Sequence, residues 1–222
     1  MNNSVTNTAR LLWAGLRALL VLTVVTGVIY PLAITGVAQG LFPGKANGSE
    51  IKSDGKVVGS SLIGQSYNLP LKKGQETPDA DLKWFQGRPA NGLGTNSVNT
   101  QYKLILSGAT NRSGDNKDLS DWVIAAKKAV IKDNSVNGYT VKPSDVPADA
   151  VTSSGSGLDS DISPKYADIQ VHRIAEKNGL SVARVQKLVD EHTEGRTLGF
   201  MGEPRVNVLE LNIALKELVA KS

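Results

Sequence analysis

The sequence predicts an α+β protein: one N-terminal transmembrane helix, then a single extracytoplasmic domain with strands first and helices in its C-terminal half. Three observations carry this. A long apolar stretch free of charge lies between Arg17 and Lys45. Val57–Gln65 reads as a strand, whereas from residue 118 onward apolar residues recur at helical spacing. Strands grouped before helices point to an α+β domain rather than a doubly wound sheet.

The anchor comes first. Residues 18–38 are 21 uncharged residues, which span ~31 Å as a helix and match a bilayer core. The expected division is a cytoplasmic N-terminus (1–17), an anchor (18–42) and a domain outside (43–222). Arg10 and Arg17 precede the span with no acidic residue, which keeps that end in the cytoplasm. Gly36-Val37-Ala38 before Gln39 also fits a peptidase site, but the apolar stretch exceeds the ~7–15 residues of a signal peptide, which favours a retained anchor. Thr23, Gly27, Pro31 and Thr35 recur every four residues as a small, semi-polar stripe. Such a stripe lets a partner helix approach closely, and Pro31 is expected to kink the helix. The same residue types are common in membrane helices, so the stripe also fits a lone anchor.

In the domain, residues 43–56 read as a linker and turn, and residues 68–82 as an exposed polar loop. Aromatics are only 5% of the chain, so Val, Leu, Ile and Ala must build the core, with Trp84 and Phe85 as plugs. Residues 90–117 are rich in Asn, Gly, Ser and Thr and supply turns and caps. A helix is predicted over 118–132, with Leu119, Trp122, Val123, Ala126 and Val130 inward. After a loop at 143–157, Ser163 and Pro164 open a helix with Ala167, Val171, Ile174 and Ala175 on its apolar face, and Gly179 closes it. Ser181 caps the next helix, with Val182, Val185, Leu188 and Val189 inward. Arg196–Arg205 reads as a polar, Gly-rich link. The closing helix carries Val208, Leu211, Leu215, Leu218 and Val219 on one face.

Composition narrows the function classes. Net charge is +4, from 25 basic and 21 acidic residues, and no block of five like charges occurs, so no nucleic-acid tail is present. With no cysteine, disulfides, thiolate metal sites and cysteine catalysis are excluded. His172 and His192 stand outside any His-x-x-x-His pattern, so no zinc site is expected. Gly155-Ser156-Gly157 lacks the spacing of a nucleophile elbow, and no phosphate-binding Gly-x-x-x-x-Gly-Lys-Ser/Thr occurs. Residues 174–189 have the spacing of a helix-turn-helix, but a domain outside the cytoplasm with a weak basic surface does not suit DNA.

Several stretches, in order and nearly end to end, then carry a resemblance. They are Gly27–Gln39; Leu41-Phe42-Pro43 with Ala46–Ser49; Gly59-Ser60 with Leu62–Gln65; and Arg88-Pro89. Farther on come Ser107-Gly108 with Asn111; Val146–Asp149; Ser154–Asp159 with Ile162-Ser163-Pro164; and His192–Arg196 with Gly199–Val208. In these the chain resembles the C subunit of the bacterial Kdp potassium-transporting P-type ATPase. It departs from the family at residues 69–84, which look like an extra loop, and at Ala109-Thr110, where Gly-Ser is common.

The resemblance implies an accessory, non-catalytic subunit of the cell membrane, needed for assembly and activity of a high-affinity ATP-driven potassium uptake complex. Its partners would be the potassium-conducting A, ATP-hydrolysing B and small F subunits, besides the lipid bilayer and without nucleic acid. The family role is either a catalytic chaperone raising ATP affinity or an external cap on the potassium entrance. No tightly bound cofactor is expected; ATP is possible by the family proposal, and potassium is the transported ion. Gly155, Ser156, Gly157, Asp159, Glu194, Arg196, Glu203 and Arg205 are the expected subunit-interface residues, the charged ones alternatively forming an internal salt-bridge network. The other functional readings are a membrane-anchored helix-turn-helix regulator and an unrelated anchored enzyme.

Overall fold

The computed structural model describes residues 3–75, 78–89, 107–108 and 111–222. The chain divides into two units, Met1–Glu50 and Ile51–Ser222.

In the first unit, α1 (Asn3–Val24) runs through a π-helical turn (Val25–Ile29) into α2 (Tyr30–Leu41). Ser4–Leu41 is therefore one helix, long and apolar enough to cross a membrane. It begins well before residue 18, because Ala9 to Ala14 are mostly strong helix formers. At Pro31, where a kink is expected, the structure shows a π-helical turn just before the proline. Its ring crowds the carbonyl four residues back, that of Gly27, and it offers no N–H. The helix widens there: the Tyr30 N–H donates to Val25 O, five residues back. The Thr26 hydroxyl donates to Leu22 O at 2.7 Å.

The expected linker after the anchor is instead structured. Pro43–Ala46 forms a short helical turn, α3, and the Asn47 and Gln39 side-chain amides bond each other reciprocally at 3.0 and 3.2 Å. A strand follows where a turn was expected. β1 (Glu50–Ser53) pairs with β2 (Lys56–Ser60). Asp54 and Gly55 between them have φ of +51° and +75°, the two left-handed positions of a tight hairpin turn. The predicted strand over 57–65 thus ends at Ser60, where the Ser60 hydroxyl accepts the Leu62 N–H and turns the chain. The loop that follows is pinched at its base: Leu69 N–H donates to Asp79 O and Asp81 N–H to Tyr67 O.

Helix α4 (Lys117–Asn134) is capped by Asn116, whose side chain accepts the Leu119 N–H. Its expected inward face is only half covered. Leu119, Val123, Ala126 and Val130 are half-buried, and Trp122 is exposed with the Arg112 guanidinium 4.3 Å above its ring. The polar stretch 90–106 lies outside the described residues, as does the departure at Ala109-Thr110.

The core forms around α5 (Pro164–Asn178). Ser163 accepts the Tyr166 N–H, Pro164 opens the first turn, and Gly179 closes the helix at φ +66°, all as predicted. Ala167, Val171, Ile174 and Ala175 are buried against Val185, Leu188 and Val189 of α6 (Val182–Glu191) and Val208, Leu211 and Leu215 of α7 (Val208–Ala220). Val182 and Val219, at helix ends, are exposed instead of inward.

A three-stranded antiparallel sheet lies among these helices, in segments that the sequence does not mark as strands. Its order is β3 (Asp161–Ile162), β5 (Arg205–Asn207), β4 (Thr193–Glu194), with Ile162 and Thr193 both opposite Val206. The α+β class therefore stands, with short strands also in the C-terminal half. Phe85 is fully buried and Trp84 packs on the core. Buried side chains hold their backbone as a neighbouring strand would. Asn212 accepts the Phe85 N–H and donates to its carbonyl, each at 2.9 Å. Gln170 does the same for Gln86, at 2.8 and 3.1 Å.

Candidate functional site

The face that contains the expected interface residues is built on β5. Arg205 projects from this strand between the acids of its two neighbours: Nε lies 3.1 Å from Asp161 and Nη2 2.6 Å from Glu194. Antiparallel pairing places Glu194 opposite Arg205, so sheet register delivers one of these contacts. Asn207, two residues along, donates to Asp161 at 3.0 Å and to Ser61 O at 2.8 Å, while its Oδ1 accepts the Glu210 N–H and caps α7. One asparagine thus ties the β2 exit, β3 and the last helix together.

Asp161 sits in an environment of opposing effects. Desolvation raises its carboxyl above the usual carboxylate range, against the lowering by Ser160, Arg205 and Asn207. Next to it, Asp159 binds Nη1 of Arg88 at 2.9 Å, and Nη2 of Arg88 donates to Ser153 O at 3.2 Å. The Arg88 Nε is buried without a hydrogen-bond partner among the described residues. Asp149 accepts both the N–H and the hydroxyl of Ser163, at 2.7 and 3.0 Å, locking the start of α5 to the 3-10 turn Ala148–Ala150. Arg88, Asp149, Asp159, Asp161, Glu203 and Arg205 are among the residues that line one open groove of about 530 Å³. Asp159 and Asp161 each pair with an arginine, and among the described residues no group of acidic or histidine side chains is arranged to hold a metal ion.

The glycine–serine loop leads into Asp159 but is not among the residues that line the groove. Ser156 Oγ accepts the Leu158 N–H at 3.1 Å, its carbonyl accepts the Gly108 N–H at 2.8 Å, and Gly157 turns the chain at φ +68°. Gly64 packs directly beneath: its N–H donates to Leu158 O, and a Cβ there would sit 2.4 Å from Asp159 O. Gly155 and Ser156 are exposed. The hydroxyl of Ser156 bonds a backbone amide, not a base. His192 Nδ1 lies 2.8 Å from Leu188 O, and His172 stacks on Tyr139 at 3.8 Å. Nothing in these contacts activates a nucleophile.

Beyond the sheet, Arg196 and Glu203 pair at 2.8 Å across the neck of a tight turn. Thr197 and Met201 exchange both backbone hydrogen bonds, at 2.9 and 3.0 Å. The turn expected to be a polar link carries Leu198, Phe200 and Met201 outward.

The structure therefore gathers Asp159, Glu203 and Arg205 on one groove, links Glu194 to it through Arg205, and sets Arg196 on the adjoining turn. It pairs Glu203 with Arg196 rather than with Arg205. Sequence reasoning left out Arg88, Asp149, Asp161 and Asn207; the Arg88-Pro89 turn was a signal for the first. Thr23, Gly27, Pro31 and Thr35 all lie exposed on the N-terminal helix, and a Cβ on Gly27 would meet nothing within 4 Å. The π-turn rotates less per residue than the ~100° of an α-helix, which counters the drift of a four-residue repeat away from one face.

Comparison with known proteins agrees in one direction. The family model described as "K+-transporting ATPase, c chain" matches residues 12–217. A potassium-transporting ATPase KdpC subunit of Streptomyces avermitilis is 85% identical over 222 residues, covering 100% of both chains. One from Streptomyces coelicolor is 79% identical over 99% of this chain and 98% of its own. One from Caldanaerobacter subterraneus is 45% identical over 91% and 92%.

Proposed function

The chain belongs to the KdpC family of K+-transporting ATPase c chains, and from that premise we propose that it is an accessory, non-catalytic subunit of an ATP-driven potassium uptake complex. The observation that carries this is the extent of the match, which takes in the apolar N-terminal helix and the folded unit alike. The partners are the potassium-conducting A, ATP-hydrolysing B and small F chains that the resemblance implies. The helix-turn-helix reading has no such support. In α6, Lys187 pairs with Glu191 and Gln186 with Asp168 and Asp190, so acids share the surface that would meet phosphate.

The N-terminus lies in the cytoplasm and the Ile51–Ser222 unit outside, as Arg10 and Arg17 before the apolar stretch favour. From there the domain acts as a cap near the external potassium entrance, with no tightly bound cofactor of its own. An influence on ATP binding would have to pass through the helix as coupling between sites. The groove on β5 supports a docking role: its ion pairs hold Arg88, Asp159, Asp161 and Arg205 in fixed positions.

The test compares membranes from cells that make the whole complex with membranes lacking only this chain. Potassium-stimulated ATPase activity is expected to disappear in the second and return when the chain is supplied. Full activity without the chain would reject the accessory role. Because the protein has no cysteine, a single cysteine introduced at Lys128 reports sidedness: labelling by an impermeant thiol reagent in intact spheroplasts supports the outside placement, and labelling only after lysis rejects it.

A further inference from the structure

Leu198, Phe200 and Met201 are 78%, 70% and 45% exposed, although they sit on a built turn. Both backbone hydrogen bonds between Thr197 and Met201 close it, and Gly199 and Gly202 take φ of +81° and +76°. Leu198 itself is held at φ +54°, a left-handed conformation unfavourable for a leucine. Packing among the described residues does not explain why three large apolar side chains are displayed here. They lie outside the core, and an exposed apolar cluster rimmed by polar groups marks an interaction site.

Three kinds of occupant fit an apolar knob, and the surroundings favour one. The neck and base carry Arg196 paired with Glu203 at 2.8 Å and Arg205 between Glu194 at 2.6 Å and Asp161 at 3.1 Å, so the ring around the knob is polar with no excess of basic groups. A loop built for an anionic lipid surface carries excess Lys or Arg and interfacial Trp. A second copy would have to offer the same patch, and a convex turn tip does not complement itself. An apolar centre inside a polar rim is the composition of a protein–protein anchor. The chain belongs to a family of transporter c chains, which supplies such a partner.

We propose that Leu198, Phe200 and Met201 form a plug that seats in an apolar socket on another chain of the transporter, with the Arg196–Glu203 and Arg205–Glu194 pairs as its rim. This rests on the subunit reading above and moves the weight of the interface from the charged residues to the apolar tip between them.

The test uses the full chain in membranes that contain the whole complex. A photoreactive benzoylphenylalanine replaces Phe200, and in a control it replaces Lys128, an exposed position on α4. Irradiation is expected to join this chain to another transporter chain from position 200 and not from 128. Adducts from 200 only with lipid, only with a second copy of this chain, or with nothing overturn the proposal. In parallel, the Leu198→Ser/Phe200→Ser double variant is expected to reduce co-purification at least about tenfold. Both residues are exposed, so its melting temperature should stay within about 2 °C of the wild type. Undiminished co-purification, or a melting temperature lowered by about 5 °C or more, overturns the plug. If the unaltered chain fails to co-purify, the subunit reading fails, and that outcome is distinct from a failure of the tip alone.

Discussion

Replacing Arg173 with methionine removes one of the groups that fix the Leu82–Gln86 segment to the core, the one bound to the Leu82 and Trp84 carbonyls. Arg173 is 1% exposed, and among the described residues its hydrogen-bond partners are neutral. Its Nε donates to Asn134 Oδ1 at 2.8 Å, Nη2 to Gln170 Oε1 at 2.7 Å, and Nη1 to the carbonyls of Trp84, at 3.0 Å, and Leu82. Burial lowers its pKa to about 10, so it stays protonated at neutral pH. Methionine fills much of the stem volume but satisfies none of the four acceptors. Gln170 Oε1 keeps the Gln86 N–H, and Trp84 O keeps the Gln86 side-chain amide. Leu82 O and Asn134 Oδ1 are left with no partner among these contacts. An orphaned buried acceptor costs about 1–3 kcal/mol, and relief from burying a guanidinium returns part of it. The net loss is about 3 kcal/mol, which for a unit the size of Ile51–Ser222 lowers the melting temperature by about 6–12 °C. Circular dichroism of the detergent-solubilised chain reads this directly. Arg205→Met is the contrast, because its ion pairs are half-exposed and such pairs contribute at most about 1 kcal/mol. Equal melting shifts for the two variants, or a shift under about 2 °C for Arg173→Met, would refute the reasoning.

Gly64→Ala forces a Cβ toward Asp159 O, backbone against backbone, and overpacking of this kind should cost about 1–3 kcal/mol; unchanged melting would show that the loop yields freely. Burial pushes the Tyr166 phenol up to about 12, so between pH 10 and 12 the folded state holds a proton that the unfolded state has released. Stability from this group is full below pH 10 and falls by about 1.4 kcal/mol per pH unit above it, so alkaline titration of wild type against Tyr166→Phe should diverge with that slope. Parallel curves would contradict it. Glu203→Ala and Arg205→Ala have different ion partners, so their small melting shifts should add in the double variant. If melting falls while co-purification holds, these residues serve the fold and not the interface.

What the sequence made legible was local. Ser163, Pro164 and Gly179 mark helix ends by their own backbone chemistry, and the faces of α5 and α7 follow from spacing alone. The β3–β5–β4 sheet was not legible, because strands of two or three residues are too short to show a period. Nor was the pairing of Arg88 with Asp159, which lies 71 positions away and needs the fold to bring it near. Asp54-Gly55 did carry a hairpin signal that the linker reading passed over. The Arg196–Arg205 segment misled through its glycines: they permit a tight turn, and a tight turn can display Leu198 and Phe200 as well as hide them.

The central claim is that this chain acts as a subunit of a potassium-transporting ATPase. Its most direct test is a gentle-detergent pull-down on the tagged chain, scored for co-purifying membrane chains and potassium-stimulated ATPase activity. The account predicts that transporter chains and activity come down together. Isolation of this chain alone, from membranes whose pump remains intact and active without it, would contradict the account.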